Sequence, residues 1–245
     1  MRIRLQLLLF GLAGCGGSEA VTVELPVATS GAAIPTATTD LGYQIALAQL
    51  RIAVSGIELT IEGEIHSDVA TRTARPHPGH SAGGEVTGEL PGDFVLTWNG
   101  QPSPPLGDAT LITGTYRGAN FAFRNTGADD GLAAGDPLLG HAFHLTGTAS
   151  KDGTTRPLVI VLDVEPDTAV VGAVFDHVIN EASTETLEID FLPTDPYEND
   201  TPFDTVDYFT LPETAGTIEI LPGSTAHNII RRAIQTHDHY AIVAR

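Results

Sequence analysis

The stretch Ala142-Phe143-His144-Leu145-Thr146-Gly147-Thr148-Ala149-Ser150, then Lys151-Asp152-Gly153-Thr154, then Pro157-Leu158-Val159-Ile160-Val161-Leu162-Asp163-Val164, decides the fold. Its two apolar runs flank an Asp-Gly pair, which accepts the positive φ angles of a tight hairpin turn. Upstream, Tyr43-Gln44-Ile45-Ala46-Leu47, Ile57-Glu58-Leu59-Thr60-Ile61 and Phe94-Val95-Leu96-Thr97-Trp98 alternate with period two. So do residues Thr110 to Tyr116 and Asn120 to Phe123. Short strands separated by Gly, Pro, Asn and Asp predict an all-β protein, an antiparallel β-sandwich of immunoglobulin-like type.

Downstream the pattern changes. Residues 193–207 form a proline-rich acidic loop with Asp195, Glu198, Asp200, Asp204 and Asp207. They lack the spaced Asp/Asn-Gly pattern of a calcium loop, so a solvated acidic face is expected there. A short C-terminal helix is predicted near 224–236, capped by Ser224 or Thr225, with Ile229, Ile230, Ala233 and Ile234 as its apolar face.

The chain begins with Arg2 and Arg4, an apolar run Leu5 to Ala13, and small residues, which is the order of a secretory signal. That run is shorter than the roughly 20 residues a membrane-spanning helix needs. Leu12-Ala13-Gly14-Cys15 resembles the lipobox of bacterial lipoproteins. The resemblance implies cleavage after Gly14, diacylation of Cys15, and anchoring to membrane by lipid, with stability supplied by two acyl chains. Gly16 and Gly17 stand where an Asp would signal inner-membrane retention, so an outer-membrane lipoprotein facing the periplasm is expected. Residues 1–14 are read as the signal peptide, 15–40 as a lipidated tether rich in Ser, Ala, Thr, Gly and Pro with one strand at 21–25, and 41–245 as a single domain.

Composition narrows the partners. The 245-residue chain carries a formal net charge of −19, and removal of Arg2 and Arg4 deepens it. Nucleic acid is an improbable partner for such a surface, and anionic headgroups repel it, so lipid and not the protein face must anchor it. Cys15 is the only cysteine, so an ordinary core and no disulfide holds the fold.

Chemistry concentrates in nine histidines, six of them in close pairs: His77 and His80, His141 and His144, His237 and His239. Imidazole suits copper and zinc, and paired ligands from one short segment reduce the entropy lost in closing a site. If residues 237–239 are extended, both rings point one way, whereas His141 and His144 on a regular strand face opposite sides. His77, His80, His144, His237 and His239 are therefore the first candidate ligands, with His141 and Asp238 behind them. The bland alternative is that the pairs are solvated surface residues. Beyond Cys15 and Met1 the chain has no soft sulfur ligand, which favours Cu(II) or Zn(II) over Cu(I). No nucleophile elbow, phosphate loop or His-Glu-x-x-His helix occurs, and no enzymatic activity is expected.

The segment Gly140-His141-Ala142-Phe143-His144-Leu145-Thr146-Gly147-Thr148-Ala149, running on through Lys151-Asp152-Gly153 to Asp163, resembles the middle hairpin of the MbnP-like family of bacterial periplasmic copper-binding proteins. The Gly42 to Leu47 strand and the terminal helix followed by His237-Asp238-His239 are similar in order. The resemblance implies an exported β-sandwich that binds copper through histidines. The chain departs from it in lacking the cysteines of many members and in its Arg75 to His80 loop. Two functions are therefore expected in parallel. One is a metal-binding lipoprotein that sequesters copper or delivers it to an uptake or redox partner. The other is a non-catalytic structural or protein-binding envelope lipoprotein with incidental histidines.

Overall fold

The computed structural model describes residues 21–61, 86–165 and 168–245. Its strands are β1 (Thr22–Thr29), β2 (Ala37–Thr38), β3 (Gln44–Thr60), β4 (Val86–Trp98), β5 (Gly107–Ile112), β6 (Gly114–Phe123), β7 (Phe143–Lys151) and β8 (Thr154–Leu162). They continue as β9 (Thr168–Ile179), β10 (Leu187–Phe191), β11 (Glu213–Thr214) and β12 (Thr217–Ile220). Helix α1 (Thr225–Ile234) and β13 (Tyr240–Ala244) close the chain.

β7 and β8 are the hairpin read from sequence. Lys151 pairs with Thr154, and Asp152 and Gly153 both take positive φ, 50° and 76°, in the two-residue turn. Helix α1 is the expected one: the Ser224 hydroxyl accepts from the His227 N–H at 3.1 Å, and Ile230 and Ile234 are buried. The fold is all-β and sandwich-like, with thirteen strands in one continuous sheet. Three of its pairings, β1 with β10, β12 with β8 and β13 with β9, run parallel rather than antiparallel.

β3 organises the sheet. The two alternating runs at 43–47 and 57–61 belong to this one strand of 17 residues. Two register shifts, at Ala48 and at Gly56 (φ 56°), each insert one extra residue and reset the alternation. The core-facing side chains are therefore Ile45 and Leu47, then Leu50, Ile52 and Val54, then Ile57 and Leu59. One edge of β3 carries β4, and the other carries β7 along 44–52 and β6 along 54–60.

From β4 the pairings run through β5, β1, β10, β13, β9 and β6 and return to β3, so eight strands close into a ring. Closure removes free edges, which otherwise invite pairing with other chains. β7, β8, β12 and β11 extend from β3 outside the ring. Trp98 on β4 donates its indole N–H to the Ile189 carbonyl on β10 at 2.9 Å, tying two ring strands that are not neighbours.

Three sequence expectations change. Residues 22–40 are not tether: β1 lies between β5 and β10 with Leu25 and Val27 in the core, so the domain starts by Thr22. The strand expected at 21–25 is there, but it runs on to Thr29 and belongs to the domain. Residues Thr110 to Tyr116 are two strands, because the chain bends at Thr113 and Gly114 comes against the Ile61 side chain. The acidic loop is only partly a solvated face: Glu198, Asp200 and Asp207 are exposed, but the rest packs inward. Phe203 and Val206 are core residues, and Asp195 is buried. Two of the carboxylates bind backbone N–H groups: Asp195 accepts from Tyr197 N–H at 2.7 Å, and Asp204 from Thr201 N–H within the loop at 2.8 Å and from Asp40 N–H outside it at 2.9 Å.

Candidate functional site

Register places a polar row on the outer face of the sheet. Arg51 on β3 stands opposite Thr97 on β4 and opposite His144 on β7. Side chains alternate along a strand, so Arg51 and His144 face away from the core that their neighbours Leu50, Ile52, Phe143 and Leu145 fill.

The segment between β6 and β7 folds onto this row, tied to the sheet by the Arg51–Asp136 ion pair and braced internally by the Arg124–Asp130 pair. Arg51 donates to both carboxylate oxygens of Asp136, at 2.7 and 3.1 Å, and Arg124 donates to both oxygens of Asp130. Bidentate pairs of this kind fix orientation as well as charge. Their hydrogen bonds with the guanidinium groups hold the carboxyls of Asp130 and Asp136 below the usual range against the opposing effect of burial. Arg124 also donates to the Val54 carbonyl at 3.2 Å and lies 3.3 Å from Asp93. Between the segment and the sheet is an open cleft of about 680 Å³, lined among others by Arg51, Arg124, Asp93, Asp129, Val95 and Leu132.

His141 and His144 lie beside this arrangement. His141 Nδ1 is 2.5 Å from Asp163 Oδ1, which leaves Nε2 as its second nitrogen. His144 is buried, and burial, reinforced by the positive charge of Arg51, lowers its pKa, so the ring is neutral at pH 7. Its Nδ1 is buried with no hydrogen-bond partner among the described residues. His141 precedes the start of β7 by two residues, and its charge adds to burial and Arg51 in lowering the His144 pKa. The regular strand assumed for both rings does not exist, because β7 begins only at Phe143.

The remaining described histidines have local roles. His227 Nε2 accepts from the Asp163 N–H at 3.2 Å, and its Nδ1 lies 3.2 Å from Asn228 Oδ1, so both nitrogens are occupied. His177 meets Glu185 at 2.8 Å. His237 and His239 do not form an extended chelate: residues His237–His239 are a 3-10 turn, in which i and i+2 diverge. His239 Nδ1 bonds the Leu192 carbonyl at 2.9 Å, and His237 Nε2 lies 3.0 Å from Asp238.

Among the described residues no group of three or more His, Cys, Asp or Glu is placed to hold a metal ion. His144, His237 and His239 thus do not make one ligand set. His77, His80 and the lipidation candidate Cys15 lie outside the described residues. Among the described residues no helix is long and apolar enough to cross a membrane. Arg51, Arg124, Asp130, Asp136 and Asp163 were missed from sequence. The available signal was an arginine inside the apolar run Leu50-Arg51-Ile52, in a chain with only 12 basic residues.

The fold and cleft define a sandwich-like all-β protein with an ion-paired recess on its outer face. No protein-family model, curated protein or solved structure matches the chain.

Proposed function

We propose that the protein is an envelope lipoprotein, anchored through lipid on Cys15 at the outer membrane, that binds a transition metal through histidines, copper first and zinc second. Its task in this reading is sequestration, or delivery to an uptake or redox partner. The observation that supports it is the pair His141 and His144. A histidine whose Nδ1 is held by a carboxylate has its orientation fixed and its other nitrogen made more basic, which is the usual support behind a metal ligand. Three residues along the chain is the buried imidazole of His144, whose Nδ1 has no hydrogen-bond partner among the described residues. Two imidazoles fit Cu(II) or Zn(II) as part of a donor set, and His77 and His80 are the candidates to complete it.

The test is calorimetric titration of residues 18–245 with Cu(II) and Zn(II) against a competing chelator, in the parent and in two double variants. One-to-one binding lost in both H141A/H144A and H77A/H80A supports the reading. Binding unchanged in H141A/H144A overturns this site.

The second reading is a non-catalytic structural or protein-binding lipoprotein whose histidines only hold the fold. The partners of His177, His227 and His239 favour it, since each ring bonds a neighbouring structural group. Under that reading both double variants bind metal no differently from the parent.

A further inference from the structure

We infer that the cleft between β3, β4 and the segment 124–142 is a binding site for a short zwitterionic peptide. The inference stands apart from the metal reading and uses none of its ligands.

The lining is amphoteric and built. Arg51 and Arg124 are largely buried, with 15% and 18% of their side-chain surface exposed, and each is fixed by a bidentate carboxylate. Neither is saturated by that contact, because a guanidinium carries more N–H donors than one carboxylate can take, although Arg124 also gives its Nε–H to the Val54 carbonyl and lies 3.3 Å from Asp93. Both line the cleft, and their remaining N–H groups are what an anionic group would engage. On the same cleft Asp93 and Asp129 are exposed carboxylates; Asp93 already lies 3.3 Å from Arg124, whereas Asp129 has no cationic partner among the described residues. They suit an ammonium. Val95 and Leu132 add apolar wall between the charged groups.

Charge and size select among ligands that such a lining could take. A net anion is repelled by a chain of formal charge −19, whereas a zwitterion carries its carboxylate to the arginines without net repulsion. A cleft of about 680 Å³ lies within the range that holds drug-sized molecules, which a short peptide fills better than one amino acid. The recognition expected is the carboxylate terminus on Arg51 and Arg124, the ammonium on Asp93 and Asp129, and small side chains over Val95 and Leu132.

The probes are trialanine, its N-acetyl form and its C-terminal amide, titrated at up to millimolar concentration into the full chain in detergent micelles with EDTA present, and followed by NMR. Trialanine binds, and each capped form binds more weakly by about tenfold or more, the effect of losing one hydrogen-bonded charge. Asp129→Asn weakens trialanine and the amide but leaves the N-acetyl form unchanged; Arg51→Lys weakens trialanine and the N-acetyl form. Equal binding of all three probes, no binding of trialanine, or an Asp129→Asn variant that binds like the parent overturns the proposal. Asp129 is exposed and makes no ion pair among the described residues, so that variant separates loss of recognition from loss of fold.

Discussion

His239 and Glu185 show how two residues whose pKa values are both lowered by the fold divide the acid range between them. Burial pushes the His239 imidazole down, against the raising influence of its bond to the Leu192 carbonyl and of Asp200, Asp195 and Asp238. The unfolded chain therefore takes up that proton more readily than the folded one, and stability falls as pH drops below about 6.5, the ordinary histidine value. Glu185 shifts in the same direction but for a different reason and in a lower window. Burial raises its carboxyl, but hydrogen bonds from its own N–H, His177, the Thr184 N–H and Ser183 outweigh this and bring it to about 2. Its contribution is complete above the unfolded value of 4.5 and is lost as pH falls toward about 2. Chemical denaturation across pH, with EDTA present, should show both declines. His239→Gln flattens the upper window and Glu185→Gln the lower. A stability profile unchanged by Glu185→Gln below pH 4.5 would show that the carboxylate contacts contribute nothing in solution.

Among the elements, β3 and β7 meet most closely where their ladder is irregular. A Cβ on Gly147 would run into the Ala46 carbonyl oxygen and lie 2.9 Å from Leu47 Cα, both backbone atoms beside the extra residue Ala48. Gly147→Ala must push the two strands apart, and a loss of about 1–3 kcal/mol, typical of overpacking, is expected in urea unfolding. Gly153→Ala, at positive φ in the exposed turn with open space around it, strains only the local backbone and is the control. The same irregularities decide what could be read from the chain alone. The hairpin and α1 were legible because turn chemistry and capping are local in sequence. β3 was not, since each inserted residue breaks the alternation that identifies a strand. β1 was read at 21–25 but assigned to a tether because of the linker-like composition after it, although Leu25 and Val27 alternate inward. For the site, the histidines were visible as residues, but their partners come from register and from distant loops: Arg51 lies 93 positions before His144, and they meet only through strand pairing.

At the scale of the whole molecule, 31 acidic residues face 12 basic ones across a surface held together without a disulfide. Their mutual repulsion is screened by salt over about 10 Å at 0.1 M, so thermal stability near neutral pH should rise from low ionic strength to about 0.15 M salt. A melting temperature that falls instead would mean that the ion pairs Arg51–Asp136 and Arg124–Asp130 outweigh the net repulsion. Expulsion of that charge density from the bilayer surface also fits an anchor made of lipid, and Cys15→Ser should release the protein from membrane fractions if the anchor is as proposed.

The bond from Trp98 to Ile189 gives the ring its own optical gauge. The chain has a single tryptophan, it is buried, and its indole spans from β4 to β10. Parting of those strands would wet the indole and shift its emission to longer wavelength. Fluorescence of the unlabelled protein therefore reads out when the ring opens, and near-coincidence of that colour change with loss of β-sheet signal would mark the ring and its outlying strands as one cooperative unit.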